Sequence, residues 1–197
     1  MRFWHATPYG FCRPGVRAFA VGETPPLRFS ARYDTLTWGI TLGVMILLAA
    51  VSMALLLSPI EPLLKLGFVG LMIAITLASY TLSPRGFILA EDHLIIRRII
   101  RSVRIPYSSI AEVRYDPTLW SWVRIRLCGS GGMFGFWGLF QLRKLGRAWL
   151  YVTNRRNLVL IRTKEGKVYL ISPENPTAFV DSIQLKLNTR KALNSKK

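Results

Sequence analysis

Between Leu36 and Leu57 the chain runs for 22 residues without a charged side chain, and a second uncharged run, Leu66 to Leu82, follows after eight residues. At about 1.5 Å per helical residue the first run spans about 33 Å, enough for the ~30 Å hydrocarbon core of a bilayer. The second spans about 26 Å, and Pro62, Leu63 and Leu64 lengthen it if the Lys65 ammonium snorkels to the interface. The pattern predicts a transmembrane hairpin over residues 36–82, with spans at 36–57 and 63–82. Gly39 and Gly43 form a GxxxG in the first span, and Gly70, Ala74 and Ala78 form a small-residue row in the second. Such rows let backbones approach closely in lipid, so they predict packing of the two helices on each other or a dimer seam. Neither run holds an ionisable residue, which disfavours a transport path made by this chain alone.

After Ser83–Pro84–Arg85–Gly86 the pattern changes to short β-branched and aromatic runs separated by turn residues. Strands are expected at Phe87–Ala90, Leu94–Arg98, Val103–Ile105, Ile110–Tyr115, Val123–Leu127, Trp149–Thr153, Leu158–Arg162 and Val168–Ile171. One helix follows: Asn175 is the expected N-cap, Pro176 suits the first position, and Phe179, Val180, Ile183 and Leu187 form an apolar stripe. The expected domain, residues 83–188, is an all-β barrel or sandwich capped by a C-terminal α-helix, with a basic tail at 189–197. Residues 1–35, rich in Pro and Gly, show no sustained period and read as a mostly irregular tail. Phe3, Trp4, Tyr9 and Phe11 beside Arg2 and Arg13 suit either a membrane surface or a disordered segment.

Charge adds orientation. The 197 residues are 51% hydrophobic yet carry 27 Lys and Arg against 10 Asp and Glu, a net +17. From Ser83 onward there are 21 basic and 7 acidic residues, whereas the connector 58–65 holds only Glu61 and Lys65. The positive-inside bias therefore places both termini in the cytoplasm and the connector outside. The first run begins too late and is too long for a cleaved signal sequence. Cys12 and Cys128 both fall on the expected cytoplasmic side, where a structural disulfide is improbable, and no histidines stand near them to make a zinc site.

Candidate chemistry is sparse. Gly129–Gly138 contains many glycines but lacks the Gly-Lys-Ser/Thr and strand–turn–helix context of a phosphate cradle. Met133, Phe134, Phe136 and Trp137 instead suggest an apolar loop that either dips into the interface, with Arg143, Lys144 and Arg147 just after it, or fills the domain core. His5 and His93 are the only histidines and the carboxylates are scattered, so no catalytic triad, HExxH or paired-carboxylate site can be assembled. No enzyme activity and no cofactor are expected. The remaining lead is the cluster Arg97, Arg98, Arg101 and Arg104, suited to an anionic leaflet. The high basic charge also permits non-specific nucleic-acid attraction, but no recognition motif accompanies it.

The segments Ile105–Pro106–Tyr107 with Ile110 and Val113, Gly129–Gly146, Tyr151–Val152–Thr153, Val159–Lys167 and Ile171–Pro176 with Phe179–Val180 carry a resemblance. Together with Tyr33–Asp34 before the first span, they resemble bacterial pleckstrin-homology (PH) domain proteins that place a transmembrane hairpin before the domain. That resemblance implies two orthogonal sheets closed by a C-terminal helix, and a binding or assembly module in a bacterial inner membrane. Phosphoinositide-binding PH domains carry basic residues around their first hairpin loop, whereas here that loop, Glu91–Asp92, is acidic. The expected partners are anionic lipid headgroups, a protein partner or a second copy of the chain. The alternative function is a structural subunit of a larger membrane complex.

Overall fold

The computed structural model describes residues 26–194, with side chains described to residue 189. The N-terminal aromatics and Cys12 lie outside the described residues. Two long apolar helices stand on a two-sheet β-domain that ends in a third helix. Helix α1 runs Thr35–Leu57 and α2 runs Pro62–Leu82, within a residue of the spans expected at 36–57 and 63–82. Only Thr37 and Ser79 are buried in the pair, and both helices are long and apolar enough to cross a membrane. At the connector, the Lys65 ammonium bonds the Leu56 carbonyl at 3.1 Å, satisfying one of the open carbonyls at the end of α1.

The small-residue rows do not pack the helices together. A Cβ on Gly39, Gly43 or Gly70 would meet nothing within 4 Å, and Ala74 and Ala78 are exposed. Between the helices, Met45, Leu48, Ala49 and Ser52 of α1 and Met72, Ile73, Thr76 and Leu77 of α2 line a groove of about 310 Å³, with the Ser52 hydroxyl 3.8 Å from the Met72 sulfur. Gly39, Gly43, Gly70, Ala74 and Ala78 lie outside that groove, on the outer surface.

The tail differs from expectation at its end. Leu27–Ser30 form strand β1, which pairs antiparallel with β2 (Gly86–Leu89) from Leu27↔Leu89 to Ser30↔Gly86. Strands β3 (His93–Arg97) and β4 (Val103–Pro106) continue a four-stranded antiparallel meander. Because β1 precedes α1 and β2 follows α2, the pairing holds the start of α1 and the end of α2 at one end of the helical hairpin, hereafter its base.

The second sheet has six strands: β5 (Ile110–Tyr115), β6 (Val123–Gly132), β7 (Gly135–Leu142), β8 (Gly146–Val152), β9 (Val159–Thr163) and β10 (Val168–Ile171). Their order is β5-β9-β10-β8-β7-β6, with only β10 and β8 parallel. Strand β7 stands where an apolar loop was one expectation. Alternation along β9 and β10 splits the core. Val159, Ile161 and Ile171 face one cluster with Phe87, Leu94 and Phe179; Leu158, Leu160 and Leu170 face a second with Phe136 and Phe140. Apolar residues on both faces explain why Leu158–Ile161 reads as a continuous run.

Helix α3 (Pro176–Asn194) starts at the proline its sequence marks. Phe179, Val180 and Ile183 are buried against the first cluster, with Leu187 packed beside them. The Phe179 ring meets Phe29 of β1 edge-on at 5.0 Å and Phe87 at 6.1 Å, so the segment before α1 closes the same core that α3 caps.

Candidate functional site

The base of the helical hairpin is where residues of α1, α2 and both sheets converge. Asp34 is the N-cap of α1: its Oδ1 accepts the Thr37 N–H at 2.7 Å, while its Oδ2 takes the Arg155 Nε at 3.0 Å. Burial pulls the Asp34 carboxyl up, but the hydrogen bonds from Thr37 and Arg155 outweigh it and hold the group below the usual carboxylate range. The Asp34 N–H and the Thr37 hydroxyl both donate to the Thr153 carbonyl, at 3.0 and 3.1 Å. Ser172 Oγ in turn accepts the Thr153 and Asn154 amides, and Arg32 pairs with Glu174 at 2.9 Å. The first turn of α1 is thus fixed to the segment joining β8 to β9.

A second tie comes from the turn between β6 and β7. Met133 and Phe134 enter between the two helices: Ser79 of α2 donates to the Met133 carbonyl at 3.2 Å, and Ser83 donates to the Phe134 carbonyl. Thr41 of α1 accepts the Phe134 N–H at 3.0 Å while donating to its own Thr37 carbonyl at 2.7 Å. The Phe134 ring meets Tyr80 edge-on at 5.2 Å. Behind the turn, Gly129 and Gly138 stand opposite each other with φ +115° and +120°. A Cβ on either would lie 2.0 or 2.2 Å from a facing carbonyl oxygen, so this close strand approach requires glycine.

The aromatic candidates therefore part company. Phe134 lies on α2. Phe136 is only 7% exposed, in the second core cluster with its ring 4.7 Å from Trp120, so it fills the domain where one expectation took it to lipid. Trp137 packs against the first cluster. Their adjacency in sequence does not make one surface, because alternate strand residues face opposite sides.

The basic candidates also separate. Arg97, Arg98 and Arg101 surround the β3–β4 turn at the base, where Arg97 accepts the Arg85 N–H on its carbonyl at 2.8 Å. Arg104 follows on β4 opposite Ile95. Arg143, Lys144 and Arg147 lie at the other end of β7, about 26 Å from the Met133–Phe134 turn at ~3.3 Å per residue. There the Lys144 ammonium sits 4.8 Å from the Trp122 ring centroid, and the Arg143 N–H bonds the Trp122 carbonyl at 2.7 Å. They do not join the base. The outward-facing Gly39, Gly43, Gly70, Ala74 and Ala78 bring no neighbour to any of these groups.

Several residues at the site carry no local sequence signal for their role. Arg85, just past α2, stacks on Tyr80 at 4.0 Å, and its Nε and Nη2 are buried without a hydrogen-bond partner among the described residues. Arg124 and Arg126, by contrast, are marked in sequence by the alternating run Val123–Leu127, and on edge strand β6 they line a cleft of about 470 Å³ with Trp120, Phe136 and Phe140. At the β3–β4 turn Ile99 and Ile100 are 55% and 50% exposed, and the Ile100 N–H bonds the Thr81 carbonyl of α2 at 3.3 Å. Among the described residues no group of three or more His, Cys, Asp or Glu could hold a metal ion.

A family model described as a bacterial PH domain matches residues 85–187, just over half of the chain. The match covers β2 to the middle of α3 and leaves β1 and the two apolar helices outside it. No curated protein and no solved structure matches the chain.

Proposed function

The chain belongs to the bacterial PH-domain family, and from that premise we propose that it is a two-span inner-membrane protein. Its β-domain is a non-catalytic module that binds anionic headgroups of the cytoplasmic leaflet, with a protein partner as a further ligand. The observation that carries this reading is the placement of Arg97, Arg98 and Arg101 beside the end of α2. A helix of 21 residues is about 32 Å long, so the group at its end lies at headgroup depth. Exposed Arg97 and Arg101 each contribute about 1 kcal/mol of attraction to an anionic leaflet, within a Debye length of ~8–10 Å, while the Arg98 guanidinium is held by the Arg101 carbonyl. Support for the orientation comes from the β1–β2 pairing, which requires the chain to return to the side from which it entered. The basic excess of the domain makes that side the cytoplasm.

The test is hydrogen exchange of the full chain in nanodiscs of neutral or anionic lipid. Amides of residues 97–104 are expected to exchange more slowly on the anionic discs, with the difference lost at 0.5 M salt. Equal exchange on both lipids would refute headgroup binding. A structural-subunit role is the second reading, favoured by the outward small-residue rows and by Ile125 and Leu127, exposed on edge strand β6. A discrete high-mass band on native gels of gently solubilised membrane would support it, and a band at monomer mass would count against it.

A further inference from the structure

We infer that the β3–β4 turn is a membrane-insertion element, in which Ile99 and Ile100 enter the interfacial layer of the bilayer between two guanidinium groups. The inference rests on the reading of α1 and α2 as membrane spans. A water-facing turn between two short strands ordinarily carries Gly, Asn, Asp or Ser at its centre. This one carries two adjacent β-branched apolar residues, each about half exposed and neither part of a core cluster. Left in water, the pair is a local hydrophobic surface that nothing among the described residues covers.

The turn is held so that both side chains project. The Arg98 Nε donates to the Arg101 carbonyl at 2.9 Å, and its Nη2 donates to the same oxygen. The Arg98 guanidinium lies 5.5 Å from the Tyr151 ring centroid, which keeps the side chain folded back on the domain. Arg101 adopts φ +53°, uncommon for a non-glycine residue, which closes the turn. These contacts make a stiff loop, so inserting it requires little ordering of the chain.

Its address is fixed by α2. The Ile100 N–H meets the carbonyl of Thr81, one residue before the helix ends at Leu82. Tyr80, at the same level, is 41% exposed, and Tyr favours the interface between hydrocarbon and water. The bond to Thr81 thus sets the two isoleucines at the border where the proposed span leaves lipid. Exposed Arg97 and Arg101 flank them at the depth of the phosphates. A lipid surface matches this arrangement of apolar centre and cationic rim.

The test uses the full chain in vesicles, with Cys12→Ser and Cys128→Ser as background. Single cysteines at Ile99→Cys, Ile100→Cys, Leu185→Cys and Leu47→Cys carry a polarity-sensitive fluorophore. The lipids carry a nitroxide high on the acyl chain or, in a second set, near its end. Probes at 99 and 100 are expected to be blue-shifted and quenched by the shallow nitroxide in neutral and anionic vesicles alike, while the exposed α3 position 185 is not. Quenching at 47 by the deep nitroxide together with no quenching at 99 and 100 would overturn insertion and leave the spans standing. Lack of quenching at 47 would overturn both. A blue shift at 99 and 100 without nitroxide quenching would replace lipid by a protein contact and overturn the inference.

Discussion

Replacing Asp34 separates the two contacts that fix the β-domain to α1. Asp34→Asn keeps a good N-cap acceptor for the Thr37 amide but removes the charge facing Arg155. A charge-assisted hydrogen bond contributes about 1.5–3 kcal/mol when desolvated. The Asp34 side chain is 10% exposed but Arg155 is 32% exposed, so solvent screening brings this one to about 1 kcal/mol. Asp34→Ala also loses the cap, worth ~1 kcal/mol, for a total of about 2 kcal/mol. For a β-domain of this size that corresponds to a fall in melting temperature of roughly 5 °C for Asn and 10 °C for Ala. The assay is near-ultraviolet circular dichroism of the full chain in detergent during heating. Arg155→Gln should cost about as much as Asp34→Asn, and the double variant little more than either. Fully additive losses, or a wild-type melt for Asp34→Asn, would refute the clamp. Acid supplies an independent arm. The folded pKa lies below the unfolded value, so the contribution is complete above the ordinary value of 3.8 and is lost as pH falls through the lower, folded value. Asp34→Asn should lack that component of the acid dependence.

Thr41→Val removes the acceptor of the Phe134 amide and strands it between the helices, at a cost of about 1–3 kcal/mol. Hydrogen exchange should accelerate at residues 133–135 while the β9–β10 amides stay protected, and an unchanged Phe134 amide would refute docking of the turn on α1. Gly138→Ala places a Cβ 2.2 Å from the Cys128 carbonyl at φ +120°. It should destabilise by ~3 kcal/mol or more and lower the yield of folded protein, whereas Gly146→Ala, where a Cβ meets nothing within 4 Å, should melt closer to wild type.

Much of the architecture is legible in linear pattern because its signals are local. Uncharged length marks α1 and α2, and the Asn175–Pro176 start with its apolar stripe marks α3. The missed pieces depend on distant partners. Strand β1 has four residues, of which only Phe29 reaches the core, and Phe29 pairs with Phe87, 58 positions later. Strand β7 begins at Gly135 and contains Gly138, which read as loop until Gly129 is seen opposite Gly138. The aromatic and basic run 133–147 looks continuous along the chain, but β7 carries its basic end away from the base. Ile99 and Ile100 fall between the expected strands Leu94–Arg98 and Val103–Ile105, and only the fold brings the Ile100 amide to the end of α2.

The interruption of the four-stranded sheet by the helical hairpin has an energetic logic. Pairing β1 with β2 across a flexible loop of about 55 residues would cost roughly 3.5 kcal/mol of closure entropy, by (3/2)RT ln n. If α1 and α2 insert first, as the proposed topology implies, their antiparallel arrangement already brings Thr35 and Leu82 to one end. Only short links, Ala31–Asp34 and Ser83–Arg85, then remain between helix and strand. The closure is thereby made by insertion, and a four-residue strand with few core contacts can persist at the sheet edge. In return, Phe29 covers the Phe179 ring, and Ser30 accepts the Glu174 amide at 3.0 Å. The β-domain depends on the hairpin for its edge, and the hairpin depends on the domain for the bonds at Thr37, Thr41, Ser79 and Ser83. Each half completes the other, so the β-domain is not a globular domain on a free leash.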